Sequence, residues 1–134
     1  MAEIDMNALL GACRAVLAQA YAPYSKFHVG AALRSSDGRV FTGVNVENSS
    51  YGLTMCAERV ALGKAVADGA RDFTHVAITC GTGHFLTPCG ACRQVMAEFA
   101  PLLKVIVLEG SGKTTELTLA ELLPSAFSKA DLVG

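Results

Sequence analysis

Three cysteines and a glutamate stand at what read as two helix starts. Thr54-Met55-Cys56-Ala57-Glu58-Arg59 forms the first, and Thr87-Pro88-Cys89-Gly90-Ala91-Cys92-Arg93 forms the second. In each, the first cysteine lies two residues beyond a threonine, and Pro88 suits the opening position of a helix. Helix N-termini carry unpaired N–H groups and partial positive charge, which lower thiol pKa values, so these cysteines are suited to bind metal as thiolates. Cys89 and Cys92 are spaced to share one helical face. Three thiolates on one Zn²⁺ leave its fourth position to water, as in a catalytic rather than a closed zinc site. Glu58 is the candidate to move protons to and from that water. Residues two apart on a regular helix point in nearly opposite directions, so Glu58 can join Cys56 only if Cys56 precedes the helix proper. Arg59, three residues beyond Cys56, is placed to hydrogen-bond the sulfurs and offset their excess negative charge.

Other chemistries compete for the same residues. A structural zinc knot would need a fourth protein ligand from His28, His75, His84, Cys80 or Cys13, none at a short, motif-like spacing. A redox C-x-x-C would leave Cys56 unexplained. Cys13 falls on the apolar stripe Met6, Leu9, Leu10, Cys13, Leu17, and Cys80 ends the run Val76-Ala77-Ile78-Thr79-Cys80. Both read as small buried apolar residues. Gly110-Ser111-Gly112-Lys113-Thr114 imitates the end of a phosphate loop, but Val107 stands where that motif needs its first glycine, so the segment is a turn.

The elements that must position these groups follow from periodicity and punctuation. Ile4 to Ala20 reads as an amphipathic helix capped by Asp5. Val29 to Arg34 and Arg39 to Val46 read as strands of a hairpin turned at Asp37-Gly38. A polar loop, 47–54, leads to a helix from Met55 to Asp68. Phe73 to Cys80 is a strand, Pro88 to Phe99 a helix, Lys104 to Leu108 and Thr115 to Thr118 strands, and Leu119 to Leu123 a short helix. That order predicts one α/β domain over residues 1–134, a three-layer α-β-α sandwich on a mixed five-stranded sheet. Parallel pairing between the strands around the second and third helices would make βαβ units and bring both cysteine segments to one edge of the sheet, at the carboxyl ends of strands.

Composition narrows the function classes. A formal net charge of −1 leaves no electrostatic footprint for nucleic acid or an anionic membrane. No apolar run approaches the roughly 20 residues that span a bilayer, and acids at Glu3 and Asp5 stand where a secretory signal carries bases. With five cysteines, two in a C-x-x-C, the expectation is a cytoplasmic protein using thiols for metal or redox chemistry. The chain is 51% hydrophobic, high for 134 residues, which points to apolar surface reserved for partner subunits.

The chain resembles the short-chain, zinc-dependent branch of the cytidine deaminases. The resemblance runs from about Tyr24 to Phe127 and is carried by Pro23-Tyr24-Ser25-Lys26-Phe27-His28-Val29-Gly30-Ala31, Asn45-Val46-Glu47-Asn48, Ser50-Tyr51-Gly52, the two cysteine segments and Leu122-Leu123-Pro124-Ser125-Ala126-Phe127. It implies one Zn²⁺ per subunit on Cys56, Cys89 and Cys92, with Glu58 as proton shuttle while activated water attacks C4 of cytosine. It implies Asn45 and Glu47 as ribose readers, a pairing that suits a neutral nucleoside because Glu47 would repel a phosphate. Phe27 would pack on the base, and the backbone at Ala57 would meet its edge. The branch with cysteine as first ligand is homotetrameric, with active sites completed by neighbours, and Tyr51 and Phe127 match such lent positions. The implied reaction is conversion of cytidine and 2′-deoxycytidine to uridine and 2′-deoxyuridine in pyrimidine salvage. A related short chain would act on a blasticidin-type antibiotic, and the non-enzymatic alternative is a structural zinc module.

Overall fold

The computed structural model describes residues 4–133, so the reading of the segment before Ile4 lies outside the described residues. Five strands form one sheet in the order β2-β1-β3-β4-β5: β1 Val29–Ser35, β2 Val40–Val44, β3 Phe73–Cys80, β4 Lys104–Leu108 and β5 Thr114–Thr118. β1 is antiparallel to both its neighbours, β3 and β4 are parallel, and β5 returns antiparallel. The sheet is therefore mixed, as its pattern predicts, with β3 and β4 paired in parallel around the third helix. β2 and β3 run the same way around the second but do not pair, because β1 of the hairpin lies between them.

Helix α1 (Met6–Ala15) covers one face, burying Leu9 and Cys13 on Ala32, Ala77, Ile106 and Leu108. Helices α2 (Ala57–Ala67) and α3 (Gly90–Phe99) cover the other, over Ala31, Leu33, Val76, Ile78, Val105 and Val107. The strand residues divide by parity, the period of the pleat. Two short helices complete the chain, α4 (Leu119–Leu122) and α5 (Lys129–Val133).

Two glycines set the distance between layers. A Cβ on Gly30 would lie 2.3 Å from the Cys13 carbonyl oxygen, so the end of α1 rests directly on β1. A Cβ on Gly43 would lie 2.3 Å from the Ala57 oxygen and 2.5 Å from the Ala61 nitrogen. Ala57, Ala61 and Ala65, four apart and fully buried, give α2 the flat side that this approach requires.

Several predicted boundaries move. The first helix stops at Ala15, and Leu17–Gln19 wind as a 3₁₀ turn. Spacings of three and four keep an apolar stripe on one side in either winding, so the pattern does not register the change. The second helix starts at Ala57 rather than Met55, because Met55 pairs in extended form with Val46 through two backbone bonds of 2.9 Å. The third starts at Gly90 rather than Pro88. Proline fixes only φ, and that value serves an extended residue as well as a helical one. β2 ends at Val44, since Val46 leaves the sheet to bridge Tyr21 and Met55. The Asp37-Gly38 turn stands as predicted, with Gly38 at φ +94°. Asp5 caps α1, accepting from the Ala8 N–H at 3.0 Å.

Candidate functional site

Helices α2 and α3 begin beyond the carboxyl ends of β2 and β3, which run in the same direction, so their N-termini meet at one edge of the sheet. Cys56 is the N-cap of α2 (φ −76°, ψ 155°) and Cys89 the N-cap of α3 (φ −66°, ψ 166°), while Cys92 lies in the first turn of α3. The sulfurs of Cys56 and Cys89 are 3.6 Å apart and those of Cys89 and Cys92 3.5 Å, with all three within 4.8 Å. A tetrahedral zinc with bonds of about 2.3 Å separates its sulfurs by about 3.8 Å, so the cluster fits that ion.

Charge within the cluster tells the same story. Hydrogen bonding from Cys92 holds the Cys56 thiol down at about 5 against the opposing effect of burial, and the Arg59 guanidinium and Cys89 assist. Cys92 is pushed up, first because its thiol bonds to the Cys56 sulfur and next because it is buried. Sulfurs held this close repel one another once ionised, a conflict that a divalent cation relieves. Arg59 Nη2 donates to the Thr54 carbonyl at 3.2 Å and reaches Cys56 Sγ at 3.9 Å. Its Nε is buried without a partner among the described residues.

No histidine and no other cysteine joins the three sulfurs among the described residues. Cys13 is buried, which pushes its thiol up to about 11, and donates to the Leu10 carbonyl at 3.2 Å. Cys80 is buried beside Thr82 and His84, and His75 bonds Thr74. A closed knot would need a donor that these residues do not bring.

Glu58 is 5% exposed, and burial raises its carboxyl to about 7, with the Cys56 charge pushing the same way. Because Cys56 is extended and precedes α2, both residues line one cavity of about 220 Å³, which Cys89, Phe27, Asn45 and the Ala57 backbone help enclose. The directional conflict read from the sequence is resolved by the cap.

Asn45 Oδ1 accepts from the Val29 N–H at 2.9 Å, and Nδ2 donates to the Phe27 carbonyl at 2.7 Å. Glu47 accepts from the N–H groups of Tyr24 (3.0 Å) and Ser25 (3.1 Å) and from the Ser25 hydroxyl, which holds its carboxyl below the usual range. It borders a neighbouring cleft with Tyr51 and Thr54 rather than the 220 Å³ cavity. Tyr51 and Phe127, at 76% and 57% exposure, do not line that cavity either. Leu86 does, although nothing in its pattern marks it, and so does Thr87, which opens the second cysteine segment. Arg93 was equally silent in the sequence. It donates to the Pro88 carbonyl (2.7 Å), Thr87 Oγ1 (3.0 Å) and the Leu122 carbonyl (2.7 Å), clamping the segment that enters Cys89.

Residues 5–109 match the family described as the cytidine and deoxycytidylate deaminase zinc-binding region. The chain belongs to that family. It is 48% identical to a cytidine deaminase of Sporosarcina psychrophila, with 96% of each chain covered. It is also 48% identical to a cytidine deaminase of Burkholderia pseudomallei of known structure, with a TM-score of 0.88 over 92% of this chain and 100% of that one. A blasticidin-S deaminase of Bacillus cereus is more distant, at 34% identity over 78% of this chain and 80% of its own. No helix among the described residues is long and apolar enough to cross a membrane.

Proposed function

We propose that this chain deaminates cytidine and 2′-deoxycytidine, water entering at C4 of the base and ammonia leaving, to give uridine and 2′-deoxyuridine in pyrimidine salvage. The observation that carries the reading is a cluster of three sulfurs, two of whose residues, Cys56 and Cys89, line a single cavity together with the buried Glu58. Cys56, Cys89 and Cys92 would hold one zinc ion. When bound, that ion supplies Lewis acidity, which brings the pKa of water toward roughly 7. Glu58 takes a proton from the attacking water and delivers it to N3. It then takes the remaining proton from the new C4 hydroxyl and hands it to the amino nitrogen, so that the C4–N bond breaks, ammonia leaves and a carbonyl remains at C4. Arg59 offsets sulfur charge, and Phe27 gives the base a face to lie on.

Asn45 and Glu47 bind the ribose hydroxyls, and the carboxylate at Glu47 disfavours a 5′-phosphate placed near it. The similarity to cytidine deaminases over almost the whole chain supports the nucleoside as substrate. We infer a cytoplasmic homotetramer in which Tyr51 and Phe127 complete a neighbour's site; the exposure of Tyr51, Leu53 and Phe127 supports the contact between subunits that this reading needs. The decisive experiment follows loss of cytidine absorbance with and without a zinc chelator. Zinc-dependent conversion to uridine is expected. Turnover of blasticidin S in preference to cytidine would transfer the substrate assignment to that drug.

A further inference from the structure

The loop from Gly81 to Pro88, between β3 and the Cys89 cap, carries a side chain that the reaction above does not use. The His84 imidazole lies against the Phe27 ring, with centroids 5.7 Å apart and planes 26° from parallel. Phe27 in turn lines the cavity shared by Glu58, Cys56 and Cys89. Its backbone is already pinned at both ends: its N–H donates to Ser25 Oγ at 3.0 Å and its carbonyl accepts from Asn45 Nδ2 at 2.7 Å. The side chain packs beside the core, and His84 is the ring stacked on it.

His84 is itself held. Its Nδ1 is hydrogen-bonded to Thr82 Oγ1 and lies 3.8 Å from the buried Cys80 sulfur, which is also 3.6 Å from the His84 carbonyl oxygen. Between them, Gly83 adopts φ +72° and runs against Gly110 in the β4–β5 turn. Gly110 N–H donates to the Gly83 carbonyl at 2.9 Å, and a Cβ on Gly83 would come within 2.9 Å of Gly110 Cα. The turn that imitates a phosphate loop thus serves as the buttress of this one.

We propose that His84 is a positioning residue that fixes the plane of Phe27 for the incoming pyrimidine. The inference rests on the deaminase reading. A platform set before substrate arrives strengthens substrate and transition state alike, so its loss raises KM and leaves kcat in place.

The test uses the zinc-loaded enzyme with cytidine. His84→Ala is expected to raise KM by roughly twofold to tenfold, the range that an aromatic pair commands, with zinc content unchanged. His84→Phe restores KM by supplying another flat ring. Thr82→Val keeps the imidazole but loses its tether, and gives a smaller rise. In a Phe27→Leu background, His84→Ala changes nothing further. Unchanged KM in His84→Ala, a fall in kcat or zinc content alone, or no rescue by His84→Phe would each overturn the proposal. If His84→Ala does not fold, Thr82→Val decides by the same split. A wild-type enzyme inert toward cytidine fails at the earlier step, and is thereby told apart from a failure of the stack.

Discussion

Glu58 lies in the first turn of α2, nearly sealed from solvent, and no basic side chain forms an ion pair with it among the described residues. A carboxyl so placed is suited to gain and lose a proton, while the three sulfurs beside it need no further donor from the protein. Glu58→Gln keeps the shape and removes the proton affinity. Turnover of cytidine is expected to fall by ~10²–10⁴, the range for general acid–base groups, while metal analysis finds zinc at the wild-type level. Loss of the zinc in that variant would make Glu58 a ligand instead. Glu47 gives a second prediction. Its hydrogen bonds depress the carboxyl below the ordinary 4.5, so the stability they contribute is complete above that value and disappears as pH falls through the folded one. Glu47→Gln should therefore melt lower than wild type at neutral pH, and melting curves should converge in acid. At this scale the sulfur triad was legible, because C-x-x-C spacing and a second thiol at another helix start need only chain order. The direction of Glu58 was not. It depends on ψ at Cys56, and that angle follows from the pairing of Met55 with Val46, a contact between segments that local pattern does not encode.

Helix α2 owes its depth to small residues on both sides of a contact. Gly43 faces the backbone of Ala57 and Ala61, so an added methyl group meets main chain and cannot be accommodated by turning a side chain. Gly43→Ala is expected to destabilise the fold by about 1–3 kcal/mol, as overpacking does. It should also lift the N-terminus of α2, separating Cys56 from the α3 sulfurs and lowering zinc affinity in a competitive chelator titration. Gly63→Ala is the matched control. Gly63 lies on the exposed side of the same helix with nothing near its missing Cβ, so the change should raise stability by about 0.5–1 kcal/mol and leave zinc binding alone. Equal zinc affinity in both variants would show that the approach of α2 does not govern the site. The strands, the hairpin and the crossover from β3 through α3 to β4 could be read from the chain, since period and turn chemistry agree there. The place of β1 between β2 and β3 could not, because it is fixed by contacts between distant segments. The starts of the three long helices could not be placed to better than two residues. Extended N-caps such as Cys56 and Cys89 carry the same residue types as a first helical turn. The capping box of Thr118 and Glu121 was present in the sequence as a Thr-x-x-Glu and sets the start of α4.

On the scale of the whole molecule, the apolar content read from composition divides unequally between inside and outside. The two sheet faces are filled, yet Tyr51, Leu53, Phe127 and Leu102 remain at 57–86% exposure. Tyr51 packs only its edge, against Tyr24 at 6.0 Å, and Phe127 is tied to α3 through its carbonyl rather than its ring. In the proposed homotetramer, neighbouring subunits would cover these open side chains. Under the proposed assembly, a site combines Glu58 of one subunit with Phe127 lent by another. Phe127→Ala should lower activity without removing zinc, and Glu58→Gln should be inactive through the chemistry alone. Dissociating the two inactive proteins together and letting them reassociate would pair the intact Glu58 of one with the intact Phe127 of the other. With random pairing across symmetric interfaces, about a quarter of the sites would then be whole. Activity recovered only after subunit exchange, and absent when the proteins are mixed without it, is the expected result. A mixture that exchanges subunits, as native mass spectrometry would verify, and still turns over no cytidine would confine each active site to its own chain.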